Sequence, residues 1–139
     1  MNKKVFYILS FTWGLPLTIA GGLLALVMLG SGFTPRRFGG CMYFEVGKGW
    51  GGLNLGLVFL CQVGASDHLK THEFGHSIQN CMWGAFTPFV VHLPSIVRYW
   101  SREWKAAHGE DLPPYDAVWF EGQATRLGEK YLRGATWGV

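Results

Sequence analysis

The sequence predicts an α+β fold, mostly α, and three observations carry that expectation. A run from Val5 to Pro35 contains no charged residue or histidine. Residues 53–62 alternate with a period of two that suits a strand. Residues 67–83 and 115–133 repeat with helical spacing behind plausible capping residues. The length of 139 residues suits one domain with little room for a second. Only 15% of residues are charged and 49% are hydrophobic, against about 25% charged in a typical soluble domain. A net charge of +3 is too small and too dispersed for a nucleic-acid surface, so no nucleic-acid partner is expected.

The first element is Val5 to Gly30, almost wholly apolar. As one helix it would reach roughly 39 Å at 1.5 Å per residue, enough to cross a ~30 Å hydrocarbon core with some tilt. Residues 1–35 are therefore expected to form an N-terminal transmembrane anchor, ahead of a domain at 36–139. Pro16 and Gly21-Gly22 are tolerated in membrane helices, and Pro16 is a candidate kink. The competing reading is a cleaved secretory signal behind Lys3 and Lys4. The run is about twice the usual 7–15 residues for one, and no A-x-A-like site follows. Lys3 and Lys4 on one side balance Arg36 and Arg37 on the other, so charge leaves the orientation open.

The glycine-rich middle, residues 38–63, reads as a β-hairpin. Cys41–Val46 is strand-like, Gly47–Gly52 is a turn, and Leu53–Gln62 is the return strand. A second membrane helix over residues 49–66 is the rival, since that segment is uncharged and spaces Gly52 and Gly56 by four. Cys41, Cys61 and Cys81 are odd in number and contain no C-x-x-C, which supports neither a disulfide framework nor a thiolate metal site. Cys41 and Cys61 would face each other across a turn near residue 51, as a bridge or as two packed thiols.

Asp67 or Ser66 caps the next helix, which carries His72-Glu73-Phe74-Gly75-His76. Histidines four apart share one helix face, so both imidazoles can reach a single metal ion. Glu73 projects beside that ion, where a carboxylate can take a proton from water. A third ligand is available in Glu121, on the helix over 115–133 and among the apolar Val118, Trp119 and Phe120, where an unpaired carboxylate would be costly. Thr125, one turn on, can hydrogen-bond a metal-bound imidazole.

H-E-x-x-H with a downstream helical glutamate resembles the zincin metallopeptidases, in particular the gluzincin branch with its His₂Glu zinc site. That resemblance implies one zinc ion per chain held by His72, His76 and Glu121, with Glu73 as general base and then acid. It implies a peptide or protein substrate laid along an edge strand above the motif helix. Where that branch often has an Asp that braces a histidine, this chain has Thr125. The long separation between His76 and Glu121 is nearer in style to the membrane-embedded CAAX-processing proteases. The site-2 proteases share the motif, but their distal Asp-Gly has no clear counterpart here. Membrane relatives imply an integral-membrane location, the inner membrane of a prokaryote, and leave room for an oligomer or a partner membrane protein.

Other residues take plainer readings. His68 lies two turns before His76, too far for both to bind one ion. It reads as solvent-facing or as a neighbour of the site. Residues 85–100 read as a bent apolar helix broken by Pro88 and Pro94, with His92 as a hydrogen-bonded packing residue. Arg98, Arg102, Glu103 and Lys105, with Trp100 and Trp104, resemble an interfacial belt. Tyr115, Arg126 and Tyr131 are candidates for stabilising an oxyanion. Asp116 is a cap of the last helix or a fallback ligand. The expected function is a membrane zinc metallopeptidase. The alternatives are a non-catalytic zinc-binding membrane protein acting as a structural or partner-binding module, and an accidental motif.

Overall fold

The computed structural model describes residues 1–114 and 117–133. Two helices, α1 (Lys3–Phe11) and α2 (Leu15–Gly30), precede four strands: β1 (Arg36–Phe38), β2 (Cys41–Glu45), β3 (Gly52–Leu55) and β4 (Val58–Cys61). Then come α3 (Asp67–Trp83), a 3-10 turn at Gly84–Phe86, a π turn at Pro88–His92, α4 (Leu93–Ala107) and α5 (Trp119–Arg133). The fold is α+β, mostly helical, with a small mixed sheet.

The single transmembrane helix expected over Val5–Gly30 is instead two helices at 90°, and among the described residues no single helix is long and apolar enough to cross a membrane. The corner is built by local hydrogen bonding. Thr12 Oγ1 donates to the Ile8 carbonyl at 2.6 Å, and Thr18 Oγ1 donates to the Ser10 carbonyl at 2.7 Å. Gly14 leaves room for the Asn80 amide, whose Nδ2 donates to the Gly14 carbonyl at 3.2 Å. Pro16 does not kink a continuous helix. It lies in the first turn of α2, where its missing N–H costs nothing.

The bend has a purpose in the packing. Strand order is β1-β2-β4-β3, with β2 and β4 parallel and the other pairs antiparallel. Phe44 and Val58 point to one face and pack against Ala25 and Met28 of α2. Tyr43 and Phe59, stacked at 5.1 Å, point to the other and pack with Phe74 and Ile78 of α3 and Phe6 of α1. The chain therefore turns at Thr12–Gly14 to pass from one face of the sheet to the other. Phe6 and Phe74 are fully buried with ring centroids 5.9 Å apart. Burying such a side chain contributes roughly 1.5–3 kcal/mol.

The expected hairpin is also rearranged. Cys41–Val46 and Leu53–Gln62 do contain strands, not a second membrane helix, but Met42–Glu45 pairs in parallel with Val58–Cys61. The hairpin lies inside the expected return strand: β3 turns into β4 at Gly56-Leu57. Gly56 makes the turn because its φ is +70° and its Cα lies against the Thr18 backbone, so a side chain would meet both strain and crowding. The reversal leaves β3 as an edge strand. Cys61 is paired with Glu45 rather than Cys41, and all three cysteines are free, buried thiols. The bent apolar helix of residues 85–100 appears as the 3-10 turn, the π turn and the start of α4. The last helix begins at Trp119, and the proposed cap Asp116 lies outside the described residues.

Candidate metal centre

Helix α3 starts where Ser66 Oγ accepts the Leu69 N–H at 3.2 Å, so Ser66 rather than Asp67 is the cap. Residues 72 to 81 of this helix are all buried. Most of the polar side chains carried into the interior there find partners, whereas Glu73 Oε2 and Asn80 Oδ1 have none among the described residues. Glycines set how closely α5 approaches: Gly75 lies against the Ala124 carbonyl and Gly128 against the Thr71 carbonyl, with no space for a Cβ at either place. This close crossing delivers Glu121, 1% exposed, to the histidines.

Three donor atoms meet at one point. Glu121 Oε2 is 3.0 Å from His72 Nε2 and 3.3 Å from His76 Nε2, and the two Nε2 atoms are 3.2 Å apart. The opposite ring nitrogens are fixed by neighbours. His76 Nδ1 is 2.8 Å from Gln79 Oε1, an acceptor because Gln79 Nε2 donates to the Phe120 carbonyl at 2.7 Å and to Gln123 Oε1 at 2.9 Å. His72 Nδ1 is 2.9 Å from Thr125 Oγ1, whose proton points to the Glu121 carbonyl. Both Nδ1 atoms therefore carry the hydrogen, and both Nε2 atoms turn lone pairs towards a carboxylate oxygen. Three acceptors converging in a buried space repel one another unless a positive charge lies between them. Glu121 Oε2 accordingly has no hydrogen-bond donor. The buried His72, His76 and Glu121 group could hold a metal ion.

Electrostatics follow from this geometry. Without a metal ion, a proton on an imidazole Nε2 supplies that charge: burial acts to raise the Glu121 pKa, but hydrogen bonds donated from the His72 and His76 rings, with that of the Ser95 hydroxyl, outweigh it and hold the carboxyl well below the usual range. Ser95 Oγ, from α4, donates to Glu121 Oε1 at 2.5 Å and so orients the carboxylate. Glu73 is 4% exposed; burial pushes its pKa up, and the neighbouring imidazoles only partly offset this. Its Oε2 has no hydrogen-bond partner among the described residues. Burial pushes the His92 pKa down, towards a neutral ring.

A cleft of about 700 Å³ opens over the three donors, between β3 on one side and α4 on the other. Asn54 ties β3 to the motif helix: its Nδ2 donates to the Glu73 carbonyl at 2.9 Å and to Ser77 Oγ at 2.8 Å. His92 Nε2 donates to the Asn54 carbonyl at 2.6 Å from the opposite wall. Gly52 lies directly over Glu73, where a Cβ would fall 2.5 Å from Oε1.

The structure thus brings together His72, Glu73, His76, Glu121 and Thr125. His68 is exposed on the cleft rim. Arg126 is exposed and Tyr131 packs against the core, and neither lines the cleft. Tyr115 lies outside the described residues. Sequence reasoning missed Gln79, Ser95 and Asn54. Gln79 was within reach, since it follows His76 by three on the same helix. Ser95 and Asn54 arrive from other elements, and no spacing announces them.

No protein-family profile, curated protein or solved structure matches the chain. The functional reading therefore stands on the geometry of this cleft.

Proposed function

We propose that this chain is a membrane-associated zinc metallopeptidase, with His72, His76 and Glu121 as the zinc ligands. Donor separations of 3.0–3.3 Å match the roughly 3.3 Å between ligands of a tetrahedral ion with bonds near 2.0 Å, and His₂Glu is an established catalytic zinc set with one open position. Zinc held there supplies the positive charge that acidifies a water and polarises a carbonyl.

The observation that carries catalysis is Glu73. A structural metal site needs the histidines but has no use for a buried carboxylate that lines the cleft and leaves one oxygen without a partner. The Glu73 carboxylate takes the proton of the attacking water and then returns it to the leaving amine. Gly52 lies over the carboxylate at the cleft wall, and its lack of a side chain leaves the space that Glu73 occupies.

Substrate binding follows from the edge strand. The two-residue turn makes Leu55 and Val58 a hydrogen-bonded pair, which makes Leu53 and Leu60 the next one. The main-chain groups of Gly52 and Asn54 then face outward, and His92 takes only the Asn54 carbonyl. An extended peptide adds to this edge as a further strand across the cleft.

The test uses the purified full chain. It should bind one zinc, lose it in His72→Ala, His76→Ala and Glu121→Ala, and cleave an unstructured protein such as casein. Glu73→Gln should keep zinc and lose cleavage. Normal cleavage by Glu73→Gln would sink the mechanism. Zinc binding with no cleavage by the parent chain would favour the non-catalytic module.

A further inference from the structure

Among the described residues, the cleft over the three donors has one open end and one blind end. At the open end Trp50, His68, Trp100 and Glu103 are all exposed. At the other end Asn54 is 2% exposed and Val91 1%. Strand β3 stops there: after Leu55 the chain turns at Gly56, which lies against the Thr18 backbone of α2. The 3-10 turn ahead of the π turn is fixed to the corner between α1 and α2, with the Phe86 and Trp13 ring centroids 6.1 Å apart. Thr87, between the two turns, is fully buried.

His92 closes the blind end. Its ring lines the cleft, and its Nε2–H is given to the outward-facing Asn54 carbonyl at 2.6 Å, which ties the π turn to the edge strand. His92 and Asn54 thus form a bar across the path that an added strand would follow. Two distances agree on where the bar stands. Gly52 lies over Glu73, and Asn54 is two residues further along β3, about 6.6 Å at 3.3 Å per residue. The His92 ring centroid is 6.4 Å from that of His76. Either way, an extended chain has about two residues to place between the reacting bond and the bar.

The bar also selects which chain end fits. The Asn54 carbonyl keeps a second lone pair, while the His92 Nε2–H is already spent on the first. An ammonium group donates to such an oxygen, whereas a carboxylate would set lone pair against lone pair. Arg102, the arginine that lines the cleft, lies about 10 Å beyond Ser95 on α4, towards the open end. We infer that the cleft takes the free amino terminus of a peptide, seated at the His92–Asn54 bar, so that cleavage releases one or two residues from that end. This rests on the peptidase reading above and narrows its substrate: an edge strand alone admits any extended segment, and the bar admits only a chain end. The step is a hydrolysis in which the water oxygen joins the carbonyl carbon, the C–N bond breaks and the water proton leaves on the new amine.

The experiment has two arms, and the second needs no cleavage. In the first, the zinc-loaded full chain meets an unstructured peptide of Ala, Ser and Leu with a free amine and an amidated carboxyl end. Mass spectrometry should show loss of one or two residues from the amino end as the first product. The same peptide cyclised head to tail should stay intact. A first cut at an internal bond, or cleavage of the cyclic peptide, overturns the inference and leaves the peptidase reading standing. In the second arm the peptide carries a fluorophore at its carboxyl end, and anisotropy measures its binding to the zinc-loaded Glu73→Gln chain. The free-amine peptide should bind at least tenfold more tightly than one joined through its amino end to a small folded domain. Adding His92→Ala, which removes the bar, should narrow that ratio to less than threefold. A folding defect would weaken both peptides alike and leave the ratio unchanged. Equal affinities before His92 is changed, or no binding of either peptide, overturn the inference. Tenfold discrimination with no cleavage by the parent chain upholds the blind cleft and removes the peptidase.

Discussion

Gly128 of α5 lies against the Thr71 carbonyl of α3, one residue before the first histidine of the site, with no room between them for a methyl group. The helix crossing that assembles the three donors therefore depends on a residue that touches none of them. Gly128→Ala must push the helices apart. Overpacking of this kind costs about 1–3 kcal/mol, so thermal unfolding should shift downwards and metal affinity should fall with it. Isothermal titration with zinc beside a melting curve checks both.

The hydrogen bonds behind the histidines should govern affinity without adding a ligand. Gln79→Leu removes the acceptor of His76 Nδ1, and Thr125→Val removes that of His72. Each should weaken metal binding by about 10- to 100-fold. A competition assay against a chelator of known affinity would measure it, and unchanged affinity in both variants would remove these residues from the site.

Gly52→Ala separates binding from chemistry. The new methyl would meet the Glu73 carboxylate but none of the three donor atoms. Metal content should match the parent chain while cleavage falls by about a hundredfold, the lower range of what a positioned general base supplies. Steady-state rates with metal analysis on the same sample test this.

Asn54→Asp puts an acceptor where an amide donated, facing the Glu73 carbonyl, which can only accept. At 2% exposure no water relieves the repulsion, and loss of stability of about 1–3 kcal/mol or more is expected. Chemical denaturation midpoints would show it. Asn54→Ala should cost less, since it removes the donor without placing a charge there.

The thiols should be silent in the folded chain. Burial pushes Cys41 up to about 12 and Cys61 up to about 11. At pH 8 only roughly one Cys41 in ten thousand is thiolate, and thiolate is the reacting form. Iodoacetamide at pH 8 should modify no cysteine until denaturant is added, after which all three react. Mass spectrometry of intact protein reads the count directly.

Local spacing determined much of this protein. His72 and His76 one turn apart, Glu73 between them, Ser66 ahead of the helix and the apolar spacing around Glu121 are short-range patterns set by the helix period, and the structure places those residues on α3 and α5. Tertiary structure decided what no local period encodes. The run from Val5 to Gly30 reads as one apolar helix because hydropathy averages over Gly14 and Pro16, and only the sheet to be wrapped shows why the chain turns there. The strand pairing depends on Gly56, a single residue with positive φ inside an otherwise even alternation. Ser95, Asn54 and His92 reach the cleft from separate elements, so their roles exist only once those elements are packed. The sequence alone thus determined which residues could bind a metal ion and the helix face that two of them share. Packing decided the distances of 3.0–3.3 Å between the donors, because those depend on how closely two glycine-bearing helices can cross.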